Sequence, residues 1–167
     1  MAADFELALA HLLAENTPIT QGLLVSLGGL TRAESKRIAS LMDQLTPQRR
    51  AEVLGAMAAY AEESFEADFV AVYRELLGHQ DPVVRGYAVD GLWEDESPRV
   101  CDVLLRMLAA EPDVTVRAKV AGALGRFVYL AECDGLDPAR AAALRQGLEA
   151  AVGNADEDLE VRRRAVE

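Results

Sequence analysis

The sequence predicts an all-α chain built as a solenoid of antiparallel helix hairpins, and three observations carry that expectation. Apolar residues recur at helical spacing along most of the chain, helix-start signals recur without strand signals, and one short pattern returns at intervals of 32 and 45 residues. Composition agrees: 51% of the 167 residues are hydrophobic and only 5% aromatic, so the core must be built mainly from Ala, Leu and Val, which favours close helix packing. The length suits one domain with a sizeable core.

Each element has its own justification. Thr46-Pro47, Asp81-Pro82, Ser97-Pro98 and Asp137-Pro138 place a side-chain acceptor at an N-cap and a fixed φ at the first helical position, where the missing N–H costs nothing. Thr31 with Glu34 forms a capping-box pattern, Asp113 and Asp158 are further N-cap candidates, and Gly78 and Gly153 stand where helices should stop. Between these marks run buried-stripe patterns: Phe5, Ala8, Leu9, Leu12 and Leu13; Ile38, Leu41, Met42 and Leu45; Val53, Leu54, Met57, Ala58 and Ala61; Phe69, Val70, Tyr73, Leu76 and Leu77; Val100, Val103, Leu104, Met107 and Leu108. The spacing predicts helices over 3–14, 19–28, 32–45, 47–63, 65–77, 82–93, 98–110, 114–132, 138–152 and from 159 onward. Connections of two to six residues make neighbours antiparallel hairpins.

The recurring pattern is "DPVVRGYAVDGL" from Asp81, "DVTVRAKVAGAL" from Asp113 and "DLEVRRRAVE" from Asp158, with Thr46 and Arg50 as a degenerate earlier copy. Periods of this size, each holding two helices, mark a helical solenoid. The first copy, with the "SPRVCDVLLRMLAAE" that follows it, resembles a HEAT repeat of the short bacterial, bilin-lyase type. The resemblance implies a right-handed superhelix, with HEAT-like repeats over 46–167 and an incomplete last one. Residues 1–45 lack the motif and are read as capping helices of the same single domain, 1–167.

Val84, Ala88 and Leu92, and likewise Val116, Val120 and Leu124, fall on one helix face as the inter-repeat core. Gly86, Gly91, Ala118, Gly122 and Ala123 leave room for close helix approach. Arg85, Arg117 and Arg162 sit in first turns, where the helix dipole disfavours a cation, so each requires compensation. The expectation is that each reaches the N-cap Asp of an adjoining repeat, so that Asp81, Asp113 and Asp158 form a charge-assisted ladder setting register between repeats, as the HEAT resemblance also implies. The final "EVRRRAVE" reads as the first helix of a repeat without its second, which suggests a longer array, or an end-to-end contact or dimer at that end.

Chemistry is sparse. The two histidines, His11 and His79, lie far apart in sequence and read as a helix-face residue and a helix terminus. Neither is part of the His-Glu pair that serves as metal ligands in hydroxylases with HEAT-like repeats, so that activity is not carried over, and no metal or cofactor is expected. No nucleophile has a base at a recognisable spacing, and Gly28-Gly29 is a turn rather than a phosphate loop. Cys101 and Cys133 are read as buried or partly buried thiols. No apolar run is long enough to span a bilayer and the N-terminus lacks a signal pattern, which gives a cytoplasmic expectation.

The net charge of −11, spread as −3 over 1–63, −5 over 64–110 and −3 over 111–167, opposes nucleic-acid binding. What remains is a noncatalytic scaffold binding an unidentified protein. Its candidate partner face is Arg74, Arg99, Asp102, Arg106, Arg140 and Arg145, on the second helices that line the concave side of HEAT arrays. Trp93, Glu94, Asp95 and Glu96 form a candidate acidic patch, with Trp93 expected to pack between helices and the carboxylates to line a solvated turn. The alternatives implied by the resemblance are a bilin lyase or isomerase acting on a phycobiliprotein, and a DNA-repair protein with a HEAT-like groove.

Overall fold

The structure, a computed structural model, describes residues 2–64 and 67–167. Its described residues form ten helices and no strand, so the all-α hairpin-repeat architecture holds. They gather into two compact units, Met1–Leu92 and Trp93–Glu167.

In the first unit α1 (Ala2–Leu13) packs on α2 (Gln21–Ser26) and α3 (Arg32–Met42), and α2 packs on α4 (Pro47–Glu63). α5 (Val70–Leu76) packs on α3, and α6 (Pro82–Gly91) packs on both α4 and α5. In the second unit α7 (Pro98–Ala110) packs on α8 (Val114–Glu132), α9 (Pro138–Gly153) lies on both, and α10 (Leu159–Val166) closes on α8 and α9. Each helix therefore packs its apolar stripe against two or three neighbours, as a repeat unit that cannot bury its own face must.

The caps explain the boundaries. Thr31 and Glu34 close a reciprocal capping box, and the side chains of Thr46, Asp81, Asp113, Asp137 and Asp158 each accept a backbone N–H of the helix that follows. Val84, Ala88 and Leu92 are fully buried, as are Val120, Leu124 and Val161, which places the repeated stripe in the core.

Several expectations are corrected. Residues 65 and 66 of the helix expected over 65–77 lie outside the described residues, and 67–69 are not helical. The Asp68 side chain takes the Val70 N–H and its carbonyl takes the Gly29 N–H, so the chain turns there before α5 begins. α3 stops at Met42 rather than Leu45, because a tighter turn carries Gln44 and Leu45. Ser97 precedes α7 but caps nothing with its side chain; its own N–H donates to Asp95 instead. Leu13 is 44% exposed, outside the stripe assigned to it, and Ala61 near the end of α4 is exposed as well.

The cysteines divide. Cys101 is buried on α7, and burial pushes its thiol up to about 11, whereas Cys133 is exposed after α8. Iodoacetamide at about pH 8 is expected to modify Cys133 in the native chain and Cys101 only as fast as unit two opens, a difference that peptide mass spectrometry over time reads directly. Equal rates would show Cys101 to be accessible.

Candidate protein-binding surfaces

The repeated arginines share one geometry. Arg50, Arg85, Arg117 and Arg162 each stand four residues after an N-cap, and each donates back to backbone carbonyls at the end of the preceding helix. Arg50 bonds the carbonyls of Met42 and Leu45 at 2.8 and 3.1 Å, and Arg85 those of His79 and Gln80 at 2.7 and 2.9 Å. Arg117 bonds those of Glu111 and Pro112 at 2.6 and 3.2 Å, and Arg162 that of Val152 at 3.0 Å. These carbonyls are the negative end of the preceding helix or its exit turn, so they offset the unfavourable position of the cation at the start of its own helix.

Carboxylates enter this geometry at Arg50 and Arg117. Arg50 reaches Asp81 Oδ2 at 2.7 Å while Asp81 Oδ1 accepts the Val83 N–H, so a single aspartate caps α6 and ties it to α4. Arg117 is chelated by Glu157 at 2.8 to 3.2 Å, one residue before the expected Asp158, which keeps its side chain on the Glu160 N–H. Arg162 makes its bond to a carbonyl, not to an N-cap aspartate.

Arg117, together with the Asp158 N–H, holds the Glu157 carboxyl below the ordinary 4.5. A depressed native value contributes stability that is present above the unfolded value and lost as pH falls through the native one. Urea melts at about pH 7 and about pH 3.5 should therefore differ less for Glu157→Gln than for the native chain, and an unchanged difference would show that this pair does not carry the acid sensitivity.

The candidate face is partly committed to the fold. Arg140 on α9 grips Asp102 on α7 through two bonds of 2.7 and 3.0 Å and also contacts Asp137, so these two candidates serve the packing of α9 on α7. Arg74, Arg99, Arg106 and Arg145 are exposed.

The acidic turn departs from the expectation at Trp93 and Asp95. Trp93 is 68% exposed instead of packed between helices, Glu94 and Glu96 are exposed beside it, and Asp95 is buried, accepting the Ser97 N–H. The reason is local: Leu92 occupies the core position at the end of α6, and the chain turns at once, so the next side chain is directed outward.

Two features had no mark in the sequence. Arg49 is 3% exposed and donates to the last carbonyls of α1, at Leu12 and His11. An open groove of about 670 Å³ runs along α8, α9 and α10, with Ala121, Gly125, Tyr129, Leu144 and Leu148 on its walls and Arg145 and Glu132 at its edges. Among the described residues no three His, Cys, Asp or Glu side chains could hold a metal ion, and no helix is long and apolar enough to cross a membrane.

A family model described as HEAT repeats matches residues 70–167, more than half of the chain and all of the second unit. The match starts at α5, so α4, expected among the repeats, precedes it. No curated protein and no solved structure matches the chain.

Proposed function

Since the chain belongs to the HEAT-repeat family, we propose that it is a noncatalytic scaffold that binds a partner protein. One observation carries the reading: Trp93, the sole tryptophan, is 68% exposed on a turn flanked by Glu94 and Glu96. A large aromatic held out of the core has given up its burial energy, and tryptophan is enriched among residues that dominate binding between proteins. The family match is to HEAT repeats at large and brings no bilin or DNA chemistry with it.

The test uses that residue twice. Proteins retained from a cell extract by the native chain are identified, and the retained protein is then titrated into native chain and Trp93→Ala. Burial on binding should shift the emission of the single tryptophan to the blue, and the alanine variant should bind about 30-fold more weakly, the effect of losing a strong anchor. An unshifted emission together with equal affinity for the variant would remove Trp93 as the carrier of this function.

A further inference from the structure

We propose that the dent between the last turns of α7 and α9 is a docking site for one arginine side chain of a partner protein. The inference rests on the scaffold reading and adds an anchor point separate from Trp93. It starts from how the chain places its own arginines: Arg50, Arg85, Arg117 and Arg162 all reach carbonyls at the end of a helix or in its exit turn. A helix end is thus the acceptor this fold uses for a guanidinium, and at the dent such acceptors stand unused.

The dent has a volume of about 210 Å³ and is lined by Leu105, Leu108 and Ala109 of α7, by Gly147 and Ala150 of α9, and by Glu157 in the turn that follows. Arg140 ties α9 to α7 at Asp102, near their starts. Toward their ends apolar contact takes over: a Cβ at Gly147 would stand 3.1 Å from Leu105 Cδ2, so the bare glycine lets Leu105 lie on the α9 backbone. The volume is below the roughly 300 Å³ at which pockets for whole small molecules begin, and it suits a single side chain.

The acceptors follow from the chain. The Leu108 carbonyl would be bonded by residue 112, which is proline and has no N–H. The Ala109 carbonyl would be bonded by the Asp113 N–H, which turns instead to Glu111 Oε1 at 3.0 Å. No donor among the described residues takes either carbonyl. Glu157 Oε1 receives Arg117 Nη2 and the Asp158 N–H, both at 2.8 Å. Its Oε2 has Arg117 Nε alone among the described residues, at 3.2 Å, and keeps acceptor capacity.

Charge selects a cation and shape selects arginine. The acids around this end are Glu111, Asp113, Asp156, Glu157 and Asp158. The cations are Arg117 and Lys119 of α8, both already engaged, and Arg106, exposed on α7, while Arg145 and Glu149 of α9 line the groove on its other flank. Acids therefore outnumber cations at the dent, and two helices ending side by side add the negative ends of their dipoles. An arginine stem fills the apolar part while the planar fork reaches carbonyl and carboxylate in different directions, which one ammonium does less well.

N-acetyl-arginine methylamide and its lysine and norleucine counterparts test this, titrated into the isotope-labelled chain with amide resonances as the readout. The variants are Ala150→Leu, which fills the dent, and Ala109→Lys, which sets a cation at its rim; both positions are exposed, and circular dichroism confirms that each variant is folded. The arginine compound should shift amides of 105–110 and 147–157 saturably and bind about tenfold more weakly to each variant. It should bind about threefold more tightly than the lysine compound, and the norleucine compound should shift none of these amides. Absence of saturable shifts at the dent, shifts spread over the acidic surface, equal affinity for native chain and both variants, or equal binding of the lysine or norleucine compound overturns the proposal. If the dent fails while Trp93→Ala still weakens binding of the retained protein, the scaffold reading stands and only the dent is removed. Binding at the dent with no effect of Trp93→Ala would do the reverse, removing Trp93 and leaving the dent.

Discussion

Arg49→Ala should cost about 3 kcal/mol, the largest loss we expect from any single polar side chain in the first unit. The guanidinium is 3% exposed and donates from Nε to the Leu12 carbonyl and from Nη2 to the His11 carbonyl, both at 3.3 Å, with Glu52 at 3.3 Å on the remaining nitrogen. Both carbonyls lie in the last turn of α1, and that of His11 also accepts the Ala14 N–H at 3.2 Å. Alanine would take the side-chain donor away from both and open a void where the side-chain stem packed. Urea denaturation reads the loss, and hydrogen exchange localises it: protection of α1 amides should fall before that of α4. Arg49→Met, which restores volume but no donor, should recover less than half of the loss; full recovery would show that the site is about packing alone. Lysine is no equivalent replacement, since one ammonium cannot serve three directions as the planar fork does.

Gly91→Ala is a test of sign. Helix propensity favours alanine by about 1 kcal/mol. The structure opposes it, because a Cβ at Gly91 would stand 2.3 Å from Tyr73 Cε2 and 2.5 Å from Cδ2 and Cζ. Tyr73 is 2% exposed and lies edge-on to Phe69 at 6.3 Å, while Phe69 is held in turn against Tyr60, so the ring cannot swing aside without disturbing the α4 and α5 packing. We expect the steric cost to win, with a net loss of about 2 kcal/mol by urea denaturation. Tyr73→Leu in the same chain should remove most of the alanine penalty, a coupling that a double-mutant cycle measures. A stabilised Gly91→Ala chain would show that α6 and α5 can separate at little cost.

Much of the fold was legible because its signals are local. An aspartate before proline caps the next helix whatever that helix packs on, and a stripe at helical spacing must find cover. The repeated arginine was legible as a problem, a cation at the wrong end of a dipole, but its main partners were not. Backbone carbonyls carry no sequence mark, so the expectation settled on the visible aspartates, and Glu157 took the place of Asp158 by one residue. Arg49 and Arg50 adjoin in the same helix start, one buried on α1 and the other tied to Asp81, and nothing in their composition separates them. The site readings show the same divide. Trp93 is exposed because Leu92 holds the core position beside it, and Arg140 is engaged because Asp102 happens to face it from α7.

By itself the sequence determined that the chain is helical, where most helices begin, which positions recur, and which residues form the shared apolar spine. Each of these depends on interactions reaching no further than about two turns along the chain. Tertiary structure alone decided which arginines are spent on holding helices together and which aromatics remain in water. Those outcomes depend on distances between residues some 30 to 40 positions apart, such as Arg50 to Asp81 and Arg117 to Glu157, and pairings at that range are set by how whole helices pack.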